Sequence, residues 1–424
     1  MTETILSQTI QTTALVALLE GAHTPHELAA YRGVLTPREL DAPESEIAAL
    51  VQGAALHDLG WMRRVAVKGE DRFRWLSGMV TNSVNDLFPN TGAWNLVLNA
   101  QGRIQGDLTV WRGGEEHSPL RRNPVAAAPG KIEREDDRLT GTPFAGESGL
   151  ELEIAADQLE RLMAHLNQFI IMDDVELVPL GEEQVGEAGS LTAVGLTGPE
   201  ADEVLQRLAL PGSSHPMTAK FLEWNGLDLW IVRGYGVVAP HYEFWLPSAG
   251  LGRLWSCVRA AGATPVGCAS VEKLRIAEGI PAYGIDMVER DLPQETSQMR
   301  ALHFNKGCYL GQEIVERIRS RGNVHRHLRP LELTGPVPES GTEIFLEDGK
   351  PAGQITSAAE LPLATGSRVF ALSVVRAEAE VSPQRQGPVA GDPDEARNQT
   401  FSYTAGTAKG SARILAEPPS FFTR

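Results

Sequence analysis

The hydrophobic pattern changes period several times along the chain. Residues 1–20 and 44–54 carry short apolar helical patterns, with a polar, turn-rich stretch between them. Strand alternation begins in WMRRVAVKG, where Val65 and Val67 share one face and Gly69 ends the run. Asp71 then stands as the N-cap of a helix carrying Phe73, Trp75, Leu76 and Met79. In WNLVLNAQGRIQGDLTVW, two alternating runs flank Asn99-Ala100-Gln101-Gly102, which predicts a hairpin. On its second strand Ile104, Leu108 and Val110 face one way, and Arg103, Gln105, Asp107 and Thr109 face the other.

Residues 112–148 are rich in Arg, Glu, Gly, Pro and Ser and read as an exposed insertion. Order resumes in LELEIAADQLERLMAHLNQF, a strand and then a helix with Asp157 near its cap, followed by the strand DDVELVPL. A second unit repeats the style. It has a strand at 191–197, a helix opened by Pro199, strands near 227–233 and 242–246, and helices at about 249–262 and 267–279. After Pro330 short alternating strands separated by Gly and Pro turns predict a small β-barrel, with a polar loop near 382–400. The class is α+β. Its parts are an N-terminal helical extension (1–48), a first unit (49–182), a second unit (183–328) and a C-terminal barrel (329–424).

Composition narrows the function. The 424 residues are enough for two to four domains and a sizeable core. No apolar run approaches the roughly 20 residues of a membrane span, and the first residues lack a basic segment followed by an apolar one; the expectation is a cytoplasmic protein. Lys plus Arg number 38 against 55 Asp plus Glu, a net charge of −17, which disfavours nucleic acid and anionic membrane as partners. One stretch runs against this balance: Arg317, Arg319, Arg321, His325, Arg326, His327 and Arg329. It reads either as a solvated face or as a docking surface.

The three cysteines, Cys257, Cys268 and Cys308, have neither disulfide nor zinc spacing. Cys257 lies in an amphipathic helical pattern and Cys268 in a turn leading to a helix. Cys308 alone has polar and basic neighbours. It stands in KGCYLGQE, two residues after Lys306, where Gly307 and Gly311 permit a tight loop around the sulfur and Gln312 and Glu313 offer an amide and a carboxylate nearby. A cation near a thiol favours the thiolate, so the segment reads either as a reactive site or as a structural turn. Asp107 asks for a reason too, because aspartate is depleted in strands. It can hold an amine or orient a ring nitrogen, or simply face water. Trp61, Trp94 and Tyr235 are either ring-stacking residues or core. Arg275 and Glu278 lie on a helix that stops at Gly279.

These segments, in this order, resemble the YgfZ-type folate-binding proteins, which share a superfamily with the T-protein of the glycine cleavage system, an aminomethyltransferase. The likeness runs from about residue 50 to about 375. KGCYLGQE fills every fixed position of that family's K-G-C-Y-x-G-Q-E, including Tyr309. VKGEDRFRWLSGMVTNSVNDL resembles the superfamily's opening segment, with Ser83 where a second Asp usually stands. LRIAEGIPAYGID resembles L-R-x-E-x-G-x-P-x-x-G-x-D, with Ala277 at the Glu position and Glu278 after it.

The resemblance implies two α+β units and a barrel around a central folate pocket. It implies tetrahydrofolate or a one-carbon derivative as cofactor. It also implies support of iron–sulfur cluster assembly or repair and of dependent tRNA modification, with iron–sulfur client or carrier proteins as partners. The alternative is a folate-dependent aminomethyltransferase of the T-protein type. By resemblance Cys308 is the key thiol, with Lys306 and Asp107 beside it in the chemistry. Trp61, Trp94, Asp107, Tyr235 and Arg275 become the expected folate contacts. Asp107 falls where the T-protein carries its catalytic Asp, and Trp94 at an aromatic one strand earlier. VRGYGVVAPHYEFW matches the T-protein's R-x-G-Y-x-G-E-x-G-F-E at Gly234 and Tyr235. Arg233 and Glu243 match only with a one-residue shift, and the pterin-holding Glu has no counterpart, because Val238-Ala239-Pro240 stands there.

Overall fold

The computed structural model describes residues 10–22, 26–114, 149–181, 190–322, 324–380, 399–419 and 421. Most of the insertion read at 112–148, and most of the polar loop at 382–400, lie outside the described residues.

The polar stretch after the first helix holds a small hairpin, β1 (Leu28–Tyr31) and β2 (Val34–Pro37). Arg32 and Gly33 make its turn with φ of 49° and 89°. The sequence reading saw only turns here, because four-residue strands give too little alternation to register.

An eleven-stranded sheet forms the centre. Its strands are β3 (Ala55–Asp58), β4 (Met62–Lys68), β5 (Thr91–Leu98), β6 (Ile104–Arg112), β7 (Leu150–Ala155) and β8 (Glu176–Leu180). They continue with β9 (Leu191–Thr197), β10 (Thr218–Trp224), β11 (Leu227–Arg233), β12 (His241–Pro247) and β13 (Thr264–Val266). The order across the sheet is β13-β3-β9-β12-β11-β10-β5-β6-β7-β4-β8. The two halves meet where β10 pairs with β5 at Thr218 and Thr91.

Each half builds its own core. Val65, Val67, Trp75, Leu76, Leu152 and Leu162 fill the first; Leu56, Val204, Tyr242, Phe244, Leu254 and Trp255 fill the second. A third cluster, with Trp111, Trp245, Val232 and Ala193, lies between them. There Arg64 stacks on Trp245 at 4.3 Å and on Trp111 at 5.4 Å, and pairs with Glu153 at 2.8 Å. Glu153 and Glu243, from β7 and β12, also interact, so the two halves of the sheet face each other.

The C-terminal segment closes a barrel of β14 (Arg326–Thr334), β15 (Glu343–Phe345), β16 (Pro351–Leu363), β17 (Gly366–Arg376), β18 (Thr400–Ala405) and β19 (Ala408–Ile414). The α+β class and the terminal barrel are as the sequence reading has them. The barrel docks on the helices Pro43–Gln52 and Cys268–Ala277 through Leu361 and Phe370. No helix among the described residues is long and apolar enough to cross a membrane.

Candidate functional site

A cavity of about 270 Å³ opens where the two half-sheets, the β1–β2 hairpin and the loop after Gly279 converge. That is near the small end of the ligand-pocket range of roughly 300–1,000 Å³. Trp61, Trp94, Asp107, Tyr235 and Arg275 all line it. Positions spread over more than 200 residues of sequence therefore meet in one place.

Asp107 projects from the polar face of β6 as its alternation predicts, and both of its oxygens are held. The Trp94 indole Nε1 donates to Oδ2 at 2.9 Å, and the Gln158 amide donates to Oδ1 at 3.0 Å. Gln158 also accepts the backbone N–H of Asp107 at 3.1 Å. Gln158 thus clamps one residue by both its chain and its carboxylate. The adjacent Gly106 makes room for it, since a Cβ there would sit 2.7 Å from Gln158 Oε1. Hydrogen bonding to both oxygens fixes the carboxylate's orientation and leaves further lone pairs for a ligand.

Trp94 and Tyr235 do not form an open stacking slot. The Arg300 guanidinium lies 3.6 Å from the Tyr235 ring centroid and 4.5 Å from that of Trp94. Arg275 is committed as well. Its guanidinium binds Glu272 at 2.5 Å, Asp286 at 2.7 Å and the Ile280 carbonyl at 2.5 Å. Burial opposes its charge, but Asp286 and Glu272 outweigh that and hold it protonated. Asp286 in turn accepts from Thr356 and Ser357 of the barrel. Arg275 therefore ties barrel, helix and loop together and shapes the wall. Glu272 also takes Tyr31 at 3.1 Å and Arg32 at 3.4 Å, which pins the N-terminal hairpin over the cavity. Tyr31 packs edge-on against Trp61 with centroids 5.5 Å apart.

Glu278 answers the question posed by Val238-Ala239-Pro240. Its carboxylate reaches across to that segment and accepts the Val238 N–H at 2.9 Å. Burial pushes its carboxyl up to about 7, against the N–H groups of 237–239, which favour the anion. A pocket carboxyl is thus present, supplied by the helix end rather than the loop.

The far wall is polar and compact. Thr197 Oγ1 lies 2.9 Å from His57 Nε2 and 2.8 Å from His241 Nδ1. Burial lowers the two imidazoles to about 4 and about 3, so both are neutral at pH 7. Burial raises Glu243, whose Oε2 accepts from the Trp245 indole at 2.7 Å, and nearby Glu153 pushes it further.

The KGCYLGQE loop lies elsewhere; none of its residues lines the cavity. Lys306 buries its ammonium under the turn after the helix Arg72–Met79 and donates to the carbonyls of Ser77, Val80 and Asn82, each at 2.7 Å. Burial lowers it to about 8, so at pH 7 it stays mostly charged. Its ammonium is thus committed to three backbone acceptors. Tyr309 is buried with Leu98, Ile104 and Leu302, and Gln312 accepts its N–H at 3.2 Å. Gly311 has φ of 81°, and a Cβ there would meet the Asn99 carbonyl at 2.7 Å, so the loop seats directly on the β5–β6 turn. The run from Gln312 to Arg321 is a helix, with Glu313 in its first turn. Gly307 has open space around its Cα. Cys308 is exposed, while Cys257 and Cys268 are partly buried. Burial lifts the Cys268 thiol to about 11.

Four residues of the basic stretch have acidic partners. Arg326 pairs with Asp291 and Glu295, Arg329 and His327 with Glu380, and Arg319 with Glu316.

Sequence reasoning missed Gln158, Arg300, Tyr31, Arg32 and the His57–Thr197–His241 wall. They come from a helix turn, a short 3-10 turn, a hairpin and three strands, and no local pattern marks them as neighbours.

Comparison with known proteins bears on this arrangement. Residues 25–127 and 184–306 match the family model described as "GCVT N-terminal domain". The match ends at Lys306, just before Cys308. An aminomethyltransferase of Rubrobacter xylanophilus is 26% identical over 354 residues, covering 82% of this chain and 83% of that protein. One from Thermoanaerobacter pseudethanolicus is 21% identical over 334 residues, covering 77% and 80%. A chloroplastic candidate transferase of Arabidopsis thaliana is 24% identical over 329 residues, covering 75% of this chain but 64% of its own length. The crystal structure of the glycine cleavage system aminomethyltransferase T from Bartonella henselae superposes with a TM-score of 0.75 and 19% identity, covering 98% of both chains; at that identity it shows the shared fold. The family model spans more than half of the chain, and the chain belongs to the GCVT N-terminal domain family, within the aminomethyltransferase superfamily.

Proposed function

We propose that this protein binds tetrahydrofolate or a one-carbon derivative in the cavity, and that it supports iron–sulfur proteins through the exposed Cys308. The observation that carries the folate part is the convergence of Trp61, Trp94, Asp107 and Tyr235 on one cavity that also presents the carboxyl group of Glu278. Those residues fit a reduced pterin. Rings line the walls, and a fixed carboxylate and a carboxyl that titrates near pH 7 are available to its N–H edges. When bound, the folate would supply the one-carbon chemistry. The chain's own residues orient it, exclude water and hold a carboxylate at Asp107.

The iron–sulfur part rests on the complete KGCYLGQE and on the exposure of Cys308 away from the cavity. A thiol on the surface is placed for a partner protein, not for a pocket-bound ligand. One cysteine does not hold a cluster by itself, so the partner or a small thiol would complete any ligand set. Aconitase-type activity and tRNA thiolation in cells lacking the gene test this. The expected result is a deficit restored by the wild-type chain but not by Cys308→Ala. Full restoration by Cys308→Ala sinks the iron–sulfur reading.

A second reading, a folate-dependent aminomethyltransferase, is favoured by one observation: the Gln158 and Trp94 clamp on Asp107, which prepares a carboxylate for a fixed task. Turnover of a methylamine donor with tetrahydrofolate, lost in Asp107→Asn, would establish it. No turnover with any one-carbon donor removes it.

A further inference from the structure

Arg300 stands apart from the other cations of the cavity. Arg32 and Arg275 share Glu272. Arg300 sits on the turn Met299–Ala301 and is partly buried. Its Nε makes a long contact of 3.4 Å to Gln298 Oε1. Among the described residues its two terminal nitrogens have no hydrogen-bond or ion-pair partner. Burial weakens its charge, while Asp107, Glu278 and Tyr235 support it from beyond ion-pair distance. Those donors are not sealed from water, so the cavity is free to offer something that meets them in place of solvent.

The geometry defines what that something is. The Tyr235 and Trp94 rings hold the guanidinium plane, so its N–H fork is the part left to bind. A planar fork matches a carboxylate. Asp107 touches the same indole, accepting its Nε1 at 2.9 Å. One side chain thus separates a fixed positive fork from a fixed carboxylate. A simple anion here would bind Arg300 but face Asp107 and Glu278. A simple cation would bind Asp107 but face Arg300. The neutral His57 and His241 tip this balance neither way.

We propose that Arg300 and Asp107 together recognise a small zwitterion, an amino-acid-like co-substrate whose carboxylate takes the Arg300 fork and whose ammonium takes Asp107. The proposal deepens, and rests on, the reading of the cavity as a folate-linked one-carbon site, and it names the class of the second molecule.

The test uses four probes of similar size on the full chain: glycine, β-alanine, propionate and propylammonium. Binding is measured by saturation-transfer NMR, with tetrahydrofolate titrated in parallel by tryptophan fluorescence. In the wild type a zwitterion is expected to bind about tenfold tighter than either singly charged probe. Arg300→Gln should erase that preference. Arg300→Lys, which keeps the charge but loses the fork and is checked for an unchanged melting temperature, should lose most of it. Zwitterions that bind no tighter than propionate or propylammonium overturn the proposal, as does a preference that survives in Arg300→Gln. Tetrahydrofolate binding without zwitterion preference overturns this proposal alone. An Arg300-dependent preference without tetrahydrofolate binding keeps it and overturns the folate reading.

Discussion

The β5–β6 hairpin meets two regions that use their polar groups in opposite ways. Its strands bring Trp94 and Asp107 to the cavity, and its turn seats the KGCYLGQE loop at Gly311. In the cavity, charged groups are clamped in place with valences to spare: Asp107 by Trp94 and Gln158, Arg300 by two rings. In the loop the one cation is used up on backbone. Lys306 meets three carbonyls, and the thiol beside it in sequence is left facing solvent. The difference teaches that a dense motif need not line the main cavity. KGCYLGQE is partly a fastening that holds the turn at 77–82, and Asn82 from that turn donates to the carbonyls of Trp94 and Arg300. The loop thereby props the cavity from outside.

The comparison breaks first, if it breaks, at Lys306. Lys306→Met strands three carbonyls and should lower stability by about 3 kcal/mol, read from the denaturation midpoint. If Lys306 instead served the thiol, stability would barely move and Cys308 would alkylate more slowly.

Next comes the pH response of the cavity. The folded Glu278 carboxyl titrates at about 7, above its unfolded value. The folded state therefore holds an extra proton between roughly pH 4.5 and 7. Its contribution is fully present below that window and is lost as pH rises through 7. Glu278→Gln should match the wild type near pH 5 and exceed it in stability by on the order of 2 kcal/mol at pH 8. Parallel stability curves for the two proteins would remove Glu278 as the titrating group.

A smaller effect separates positioning from packing. Gln158→Leu keeps the volume but frees Asp107, and tetrahydrofolate affinity should fall about tenfold, roughly 1.4 kcal/mol. Gln158→Glu sets a carboxylate against Asp107 and should do no better. Unchanged affinity in both would make the clamp incidental.

The smallest change is expected at Cys308. Cys308→Ala should alter stability by less than about 0.5 kcal/mol, because the side chain is exposed. Iodoacetamide should label Cys308 well before Cys257 and Cys268, since exposure and thiolate fraction set the rate. Equal labelling of the three in the folded protein would contradict the placement of the thiol at the surface.

Much of this was legible in the sequence where the signal is local. The β5–β6 alternation put Asp107 on the cavity face, and the Gly- and Pro-punctuated run after Pro330 is the barrel. One local signal was passed over. Asn225-Gly226, with φ of 51° and 73°, is a tight hairpin turn that announces β10 and β11. The rest depended on long-range pairing. Nothing near Tyr31 or Arg32 says that a helix 240 residues on will carry Glu272 to meet them. The role of Lys306 was hidden for the same reason, because its three acceptors are backbone atoms more than 220 residues earlier. Sequence neighbours suggested a Lys–Cys pair; the Lys306 ammonium donates to those three carbonyls.

The central claim is that folate binding belongs to the cavity and not to the loop. Titrating tetrahydrofolate into wild type, Asp107→Ala and Cys308→Ala, with tryptophan fluorescence as the readout, tests it most directly. Binding should be at least tenfold weaker in Asp107→Ala and within about twofold of wild type in Cys308→Ala. Loss of binding in Cys308→Ala with affinity retained in Asp107→Ala would contradict it.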